Sequence, residues 1–387
     1  MKILAAGGGS GGHVTPVVAV LREIREQVPD AEIQFWCDTK FERQARSIIS
    51  VFDPSLKVST IHSGKLRRYH SLSVWRQLSS FRMIVFPNIR DSFFVALGFV
   101  ESLCKLVLWR PDVVFTKGGF VCLPIGLAAH LLKIPLVIHD SDAHPGLTNR
   151  VLAKWATVIA TGAPLKFYPY PLTKSYYVGV PIGQAFARPF EASDRARIKT
   201  ELGFDAKRPL IVVTGGGLGA RRLNNAIMAI LSPLTEKANV ILVSGEGQYE
   251  ELKKRDDGTN KNFRLYAFVS IGMAEMLGAA DIVVTRAGAT TILELASLAK
   301  PTILVPNAFL TGGHQLKNAA VYAEKDAVSV VDEDLINKSP DALLDEISNL
   351  LADTARRSAM GGAFRQFSRP NAAHDMATLV LGVVKRK

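Results

Sequence analysis

Residues 2–14 read KILAAGGGSGGHV, and residues 209–223 read PLIVVTGGGLGARRL. In both stretches a short apolar run, typical of a buried β-strand, leads into a glycine-rich turn. A segment with helical periodicity follows each turn, from Val14 to Val28 in the first half and from Ala220 to Leu231 in the second. The same strand–turn–helix unit therefore occurs once in each half of the chain.

Further β-rich runs alternate with helical segments along the chain. These runs are IQFWC, DVVFTK, PLVIHD, TVIATG, NVILVSG, DIVVTR and PTILVP. Such alternation predicts parallel sheets with helices on both faces. With 387 residues, 48% of them hydrophobic, the chain is long enough for two domains with full cores. The predicted fold class is α/β, with two doubly wound Rossmann-like domains and a boundary in the Pro-, Tyr- and Gly-rich stretch 164–189.

The formal net charge of +12 indicates a polyanionic partner, such as an anionic membrane, a phosphorylated substrate or nucleic acid. Between Asp53 and Asp91 there is no acidic residue, and basic residues are interleaved with large apolar ones. This mixture is typical of a surface in a lipid headgroup layer, although a solvated basic face over a core helix has the same composition. The residues predicted to contact the membrane are Lys65, Arg67, Arg68, Trp75, Arg76, Phe81 and Arg82. No nucleic acid is expected as a partner, because no helix-turn-helix, zinc-finger or RNA-binding signature is present.

The cysteines and the apolar stretches indicate the cellular compartment of the protein and whether it spans a membrane. Cys37, Cys104 and Cys122 form no C-x-x-C pair or zinc-type cluster, which favours reduced thiols in a cytoplasmic protein. The short apolar run at the N-terminus favours a first strand over a secretory signal. The closest approach to an apolar span, 93–109, contains an acidic and a basic residue, so the sequence predicts no membrane span.

Both glycine-rich loops have spacings that are typical of phosphate binding. Gly7, Gly9 and Gly12 fit G-x-G-x-x-G, and 215–220 fits G-x-G-x-x-A. Between a strand and a helix, backbone N–H groups and the helix dipole attract phosphate. Asp38 follows the second predicted strand, where a dinucleotide site has its ribose-binding acid. A dinucleotide-binding oxidoreductase therefore stays open, as do tight turns that bind no ligand.

Six motifs in order resemble one known family. They are GGGSGGHVTP at 7–16, SGKLRRY at 63–69, DVVFTKGGF at 112–120, GLTNR at 146–150, RAGATTILE at 286–294 and HQLKNA at 314–319. Together they resemble the bacterial MurG family across nearly the whole chain. That family transfers N-acetylglucosamine (GlcNAc), with inversion, from UDP-GlcNAc to the 4-hydroxyl of MurNAc in undecaprenyl-diphospho-MurNAc-pentapeptide. This step of peptidoglycan synthesis converts lipid I to lipid II.

The resemblance implies a GT-B fold, in which two domains face a central cleft. Residues 1–165 would bind the undecaprenyl-diphosphate-linked acceptor and the membrane, and residues 175–362 would bind UDP-GlcNAc. The C-terminal helix, about 366–387, would pack back on the first domain. The resemblance also implies a peripheral enzyme on the cytoplasmic face of the cell membrane. It implies no cofactor and no tightly bound metal.

Donor-binding roles are assigned from the resemblance and from side-chain chemistry. The expected residues are Ser10, Gly11, Gly12, Asp142, Gly183, Gly217, Leu218, Gly219, Val269, Ala289, Thr290, Glu294, His314, Gln315 and Asn318. Ala289 and Thr290 open a predicted helix whose N-terminal amides suit a diphosphate. Glu294 can accept both ribose hydroxyls, or it is a buried, paired acid. Imidazole and amide groups at 314–318 suit sugar hydroxyls, because they donate and accept hydrogen bonds; unliganded loop residues are the alternative there.

Acceptor-binding and catalytic roles are expected in the first domain. The expected acceptor ligands are Gly11, Gly12, His13, Lys117, Gly118 and Gly119. His13 follows a phosphate-type loop, where an imidazole can bind the acceptor diphosphate or take the proton of the attacking hydroxyl. Asp140 and Asp142 are rival bases, so all three are candidate catalytic residues.

The chain departs from the family pattern at three places. Residues 139–142 read HDSD where the family usually has HEQN, and D-x-D also occurs in metal-dependent transferases. Gly217 and Leu218 replace a Ser and a Gln, and Gly183 replaces an Arg. A related UDP-sugar glycolipid transferase or a UDP-sugar epimerase therefore stays open. RAGATTILE with HQLKNA disfavours an oxidoreductase, which needs no such set, and SGKLRRY favours the MurG activity.

Overall fold

The computed structural model describes residues 1–8, 11–65, 84–217, 219–269, 271–308 and 313–384, without the side chains of 11–13. The chain divides into two compact units. Unit 1 contains Met1–Gly183 and Asn371–Lys387, and unit 2 contains Gln184–Pro370. The stretch 164–189, predicted from its composition to be a boundary, lies mostly within unit 1, because residues up to Gly183 pack with that unit.

Unit 1 has a parallel seven-stranded sheet in the order β3-β2-β1-β4-β5-β6-β7. Its strands are β1 (Lys2–Ala6), β2 (Glu32–Asp38), β3 (Lys57–Ile61), β4 (Val113–Thr116), β5 (Leu136–Asp140), β6 (Val158–Thr161) and β7 (Ser175–Tyr177). Its helices are α1 (Gly11–Gln27), α2 (Glu42–Phe52), α3 (Phe86–Trp109), α4 (Cys122–Leu131), α5 (Leu147–Leu152) and the last of the chain, α16 (Ala372–Val384). Short 3-10 turns cover Thr39–Phe41, Leu165–Phe167 and Leu172–Lys174. Apolar side chains on both faces of the sheet are fully buried, as expected for a parallel sheet between helices.

Helix α3 packs one face into unit 1 and leaves an apolar face exposed. Gly98 of α3 packs against the residue that follows β3: an added Cβ at Gly98 would lie 1.8 Å from the His62 carbonyl oxygen. His62 Nδ1 lies 2.6 Å from Glu101 Oε1, and this polar contact joins the same two segments. The opposite face carries the exposed side chains of Phe86, Ile89, Phe93, Leu97, Val100, Val107 and Leu108.

By length and composition α3 is apolar enough to cross a membrane, and it is the one such helix in the described ranges. A core helix of a soluble domain meets the same criteria. The sequence predicts no span because Glu101 and Lys105 interrupt the apolar run, and the structure uses both residues to hold α3 in the unit. Lys105 Nζ donates to the Thr60 carbonyl at 2.8 Å. The absence of a span stays a prediction.

Unit 2 has a parallel six-stranded sheet in the order β10-β9-β8-β11-β12-β13. Its strands are β8 (Leu210–Thr214), β9 (Asn239–Val243), β10 (Phe263–Tyr266), β11 (Ile282–Thr285), β12 (Thr302–Leu304) and β13 (Ser329–Val330). Its helices are α6 (Ala192–Glu201), α7 (Arg221–Ala229), α8 (Leu231–Lys237), α9 (Glu246–Lys253), α10 (Met273–Ala279), α11 (Ala289–Ser297), α12 (His314–Ala323), α13 (Glu333–Lys338), α14 (Asp341–Ala352) and α15 (Thr354–Arg365), with a 3-10 turn at Gln184–Phe186. The predicted α/β class with two doubly wound domains is confirmed.

The C-terminal helix α16 packs against α1 in unit 1. Met376, Ala377 and Val380 are buried in the same apolar cluster as the inner face of α1. His374 Nδ1 lies 3.2 Å from Glu23 Oε2 and adds a polar contact between the two helices. Helix α16 is therefore part of the core of the first unit.

Candidate active site

The strand ends of unit 1 meet at a topological switch point between β1 and β4. The order reverses there, and α/β sheets bind ligands beyond the carboxyl ends of such strands. The two glycine loops at this point are in close contact: an added Cβ at Gly119 would lie 2.5 Å from the Gly8 carbonyl oxygen. Gly118 and Gly119 also have φ angles of 91° and 93°, which favour glycine. The structure thus brings together the two loops that the sequence predicts to bind the acceptor.

Lys117 differs from its predicted role. The sequence predicts a phosphate contact, but the Lys117 side chain is 2% exposed and its ammonium donates to the Ser141 hydroxyl inside the unit. Burial lowers the pKa of Lys117 to about 8, and the carboxylates of Asp142 and Asp140 oppose this change. The Lys117 charge therefore interacts with Asp140 and Asp142 from the interior of unit 1.

The two candidate carboxylates of unit 1 have different surroundings. Asp140, at the end of β5, is 4% exposed, and its Oδ2 accepts a hydrogen bond from the Tyr170 hydroxyl at 2.8 Å. Burial raises the pKa of Asp140 to about 7, against the hydrogen bond from Tyr170. Asp142 is only partly buried. Of the two rival bases, Asp142 is therefore the one that solvent or a substrate can reach.

Tyr168 and Tyr170 are site residues that the sequence analysis missed. Their rings stack with centroids 5.6 Å apart, and the Tyr168 hydroxyl donates to the Asp142 carbonyl at 2.7 Å. Asn149, from the GLTNR motif, donates to the His139 carbonyl at 3.0 Å. The sequence feature that could have indicated them is the alternation of tyrosine and proline in FYPYP at 167–171. The sequence analysis assigned this stretch to a domain boundary.

The D-x-D pattern at 140–142 places its two carboxylates in different surroundings. Asp140 is turned towards Tyr170 and is buried. Within the described ranges no group of three or more His, Cys, Asp or Glu side chains is placed to hold a metal ion. Metal-independent transfer stays a prediction that needs a direct test.

Unit 2 has its own switch point, between β8 and β11. Gly216 and Gly219 have φ angles of 77° and 73°, and an added Cβ at Gly219 would lie 2.2 Å from the Ser244 carbonyl oxygen. Helix α11 begins one strand away, with Gly288 as an N-cap that has no side chain to satisfy the first amides. The N-terminus of a helix, where the helix dipole is positive, is suited to phosphate. Ala289 and Thr290 lie at this end, as predicted, and Gly217 is exposed on the neighbouring loop.

Glu294 lies on α11, one and a half turns after its start. The side chain is partly buried, and burial alone raises its pKa to about 7. Among the described residues the carboxylate has no hydrogen-bond or ion-pair partner. The alternative of a buried, paired acid is therefore not what this structure shows. An unpaired carboxylate on a helix whose N-terminus is suited to phosphate fits a ligand that also supplies hydroxyl donors.

Helix α12 supports the loop that leads into α11. The Asn318 side chain is buried and its Nδ2 donates to the Ala287 carbonyl at 3.1 Å. Gln315 Oε1 accepts from the Asn307 amide at 2.8 Å. His314 and Gln315 are partly exposed at the start of α12, whereas the burial of Asn318 gives it a supporting position. Their contacts with a sugar stay predictions.

Arg286 is a structural residue of unit 2 that the motif alone did not explain. It is buried and forms an ion pair with Glu333, and its Nη1 donates to the Val305 carbonyl at 3.0 Å. Arg222 lies 3.6 Å from the other oxygen of Glu333. These contacts join the ends of β11 and β12 to α13 and fix the start of the loop before α11.

Several predicted site residues are only partly covered by the structure. The predicted donor ligands Gly183 and Val269 are partly buried, one at the end of unit 1 and the other after β10. Gly11, Gly12 and His13 begin α1, but the His13 side chain lies outside the described part of the chain. Ser10, Leu218, Arg67, Arg68, Trp75, Arg76, Phe81 and Arg82 also lie outside it, whereas Lys65 is described and exposed.

Two family models match the chain, one in each half. The N-terminal domain of glycosyltransferase family 28 matches residues 3–161, and the C-terminal domain of the same family matches residues 210–376. These matches and the two doubly wound units define the chain as a glycosyltransferase with the GT-B fold.

Individual relatives narrow this class. The UDP-N-acetylglucosamine–N-acetylmuramyl-(pentapeptide) pyrophosphoryl-undecaprenol N-acetylglucosamine transferase of Clostridium kluyveri is 33% identical over 355 residues, 90% of this chain and 91% of the relative. The enzyme of the same name from Halalkalibacterium halodurans is 31% identical over 388 residues, 100% of both chains. The crystal structure of Acinetobacter baumannii MurG has a TM-score of 0.72 and 23% identity over 98% of this chain and 99% of that one, which shows a shared fold. The chain belongs to the MurG family, which confirms the resemblance seen in its motifs.

Proposed function

We propose that this chain transfers GlcNAc, with inversion, from UDP-GlcNAc to the MurNAc 4-hydroxyl of an undecaprenyl-diphosphate-linked muramyl acceptor. The single observation that carries the donor assignment is the unpaired Glu294 carboxylate on α11, a helix whose N-cap residue, Gly288, has no side chain. A nucleoside diphosphate supplies ribose hydroxyls to the carboxylate and phosphate oxygens to the amides. Family membership supports GlcNAc as the sugar.

Unit 2 is the donor-binding unit in this proposal. The diphosphate lies at the amides of Ala289 and Thr290, and the glycine loop at 215–219 borders it. Helix amides stabilise the negative charge that develops on the leaving UDP, as a metal ion does in other transferases. His314 and Gln315 at the start of α12 contact the sugar.

Unit 1 is the acceptor-binding unit. The paired glycine loops after β1 and β4 receive the lipid diphosphate through backbone N–H groups, together with His13 at the start of α1. The attacking hydroxyl must lose a proton, and His13 and Asp142 are the candidates to receive it, since Asp140 is buried against Tyr170.

The activity is tested with UDP-GlcNAc radiolabelled in the sugar and a short-chain lipid I analogue. We expect label to move into the organic phase only when both substrates and the wild-type enzyme are present. UDP-glucose at the same concentration should label the lipid poorly. Label that stays water-soluble with acceptor present would refute transferase activity on this acceptor, and formation of UDP-N-acetylmannosamine without acceptor would indicate an epimerase.

We further propose that unit 1 lies on an anionic membrane through the exposed face of α3 and the basic stretch before it. The apolar face runs from Phe86 to Leu108, about 33 Å at the usual rise per residue. Phe93 is 67% exposed and Leu108 is 86% exposed. Lys65 is exposed upstream, where a cation attracts anionic headgroups, whereas Arg90 on the helix itself is paired with Asp91 at 2.8 Å.

The membrane proposal is tested by vesicle flotation with anionic and with neutral vesicles. Phe93→Glu with Val100→Glu should abolish binding to anionic vesicles, because two carboxylates are placed on the apolar face. Leu335→Glu is the matched control, since Leu335 is a 49% exposed leucine in unit 2. Equal binding by the double variant, or no difference between the two vesicle types for the wild type, would contradict this surface.

A further inference from the structure

Lys117 places an ammonium group in the interior of unit 1, close to two carboxylates. Lysine is rarely buried without a partner, because moving its charge out of water is costly. The Lys117 ammonium donates to the Ser141 hydroxyl, and Ser141 Oγ lies 3.2 Å from His139 Nδ1. His139 Nε2 lies 2.8 Å from the Gly179 carbonyl oxygen. Four groups therefore form one continuous chain of hydrogen bonds.

The direction of this chain follows from its two ends. A carbonyl oxygen only accepts, so His139 Nε2 carries the hydrogen that is donated to Gly179. In a neutral imidazole Nδ1 is then an acceptor, and the Ser141 hydroxyl donates to it. The Ser141 oxygen keeps its lone pairs for the Lys117 ammonium, which has donors only. Lys117 therefore donates to Ser141, and Ser141 donates to His139.

The backbone at Ser141 and at Gly179 is fixed by close packing on the end of β6. An added Cβ at Gly162 would lie 2.6 Å from the Ser141 carbonyl oxygen, so Ser141 is held against that turn. The Gly179 amide donates to the Thr161 carbonyl at 3.1 Å, and its φ of 88° is one that glycine adopts readily. The relay therefore connects the ends of β4, β5 and β7 through the buried Lys117 and His139 and the partly buried Ser141.

We propose that His139, Ser141 and Lys117 form a relay that holds one positive charge inside unit 1, next to Asp140 and Asp142, and that His139 and Ser141 are positioning residues for sugar transfer. Two carboxylates on one strand-end loop repel each other, and an interior cation compensates for part of this charge. Without the Ser141 hydroxyl, the ammonium loses its fixed acceptor and its distance from the carboxylates changes. The catalytic part rests on the proposed function, whereas the hydrogen-bond relay does not.

The relay is tested by NMR of the full chain labelled with 15N at its eight histidines. His139→Gln assigns the His139 signals by their loss. We expect a neutral His139 with its proton on Nε2 at pH 7, and a shift of the Nδ1 resonance in Ser141→Ala, where the donor to Nδ1 is removed. A proton on Nδ1, or a charged imidazolium, would overturn the relay whether or not the protein transfers GlcNAc.

The positioning role is tested by steady-state kinetics of serine variants. Ser141→Ala should lower kcat by about ten-fold or more, the usual effect of removing a hydrogen bond to a charged group, and leave the Kd for UDP-GlcNAc unchanged. Ser141→Thr keeps the hydroxyl and should restore most of the rate. Ser175→Ala is the matched control, because Ser175 is a buried serine of unit 1 that donates to the Pro171 carbonyl at 2.7 Å. A folded Ser141→Ala enzyme with wild-type kcat, or a Thr variant as slow as the Ala variant, would overturn the positioning role.

Discussion

The raised pKa of Glu294 predicts that UDP-GlcNAc binding depends on pH near neutrality. Burial raises this pKa to about 7 from 4.5, and the ligand-free carboxylate has no partner among the described residues. The donor hydroxyls of a ribose bind the ionised form best. Lowering the pH through 7 therefore weakens binding, because the protonated carboxyl must first lose its proton.

The size of the effect follows from the titration. With a pKa of about 7, roughly one carboxyl in eleven is ionised at pH 6 and ten in eleven at pH 8, a change of about ten-fold in affinity or about 1.4 kcal/mol. Glu294→Gln removes the charge at every pH. It should weaken binding at pH 8 by about 1.5–3 kcal/mol, or roughly 10- to 150-fold.

Isothermal titration calorimetry with UDP-GlcNAc at pH 6, 7 and 8 measures this dependence. The diphosphate of UDP-GlcNAc is doubly esterified and does not titrate in this range, whereas the terminal phosphate of UDP does. The wild-type affinity should rise with pH, the Glu294→Gln affinity should stay flat, and the two curves should converge at low pH. A flat wild-type curve, or a glutamine variant with wild-type affinity at pH 8, would refute the contact between Glu294 and the ribose.

Three further predictions concern stability, metal dependence and the acceptor side. Glu294→Gln should raise the Tm of the ligand-free protein at pH 8, because a carboxyl with a raised pKa contributes less to the free energy of unfolding as the pH rises through about 7. This gain in Tm should disappear towards pH 4.5, the ordinary pKa of the group. Scanning fluorimetry that shows no gain at pH 8 would contradict the burial of an unpaired charge. Transfer should survive EDTA, since helix amides stabilise the leaving diphosphate; a loss that Mg²⁺ or Mn²⁺ restores would favour a metal at Asp140 and Asp142. His13→Ala should lower kcat, by about 10²–10⁴-fold if it is the general base, with donor affinity unchanged; wild-type kcat and acceptor KM together would make His13 a structural residue.

The sequence predicts the fold well where strands are buried on both faces. The apolar runs at Lys2–Ala6 and Ile282–Thr285 become the interior strands β1 and β11, because continuous burial requires continuous apolar sequence. None of the four edge strands was predicted, neither β3 and β10 nor the shorter β7 and β13. Ser175–Tyr177 and Ser329–Val330 lie at sheet edges, where three or two residues with polar neighbours carry no periodic signal.

The sequence predicts where the glycine-rich loops of the candidate site lie in the fold, but not the contacts within the site. Motifs mark the loops at both switch points, because phosphate binding requires glycines and helix N-termini at set spacings. They do not show that Lys117 turns inward or that Tyr170, thirty residues after Asp140 along the chain, donates to that carboxylate. Contacts between residues so far apart in the sequence depend on how β7 and the turns before it pack. No local sequence pattern predicts this packing.

The most direct test of the central claim is the mass and anomeric configuration of the product. Purified wild-type enzyme is incubated with UDP-GlcNAc and a lipid I analogue, and the extracted lipid is analysed by mass spectrometry and by proton NMR. Our account predicts that the acceptor gains one N-acetylhexosamine, joined in the β configuration to the MurNAc 4-hydroxyl. An acceptor of unchanged mass, or a sugar attached at another hydroxyl or in the α configuration, would contradict it.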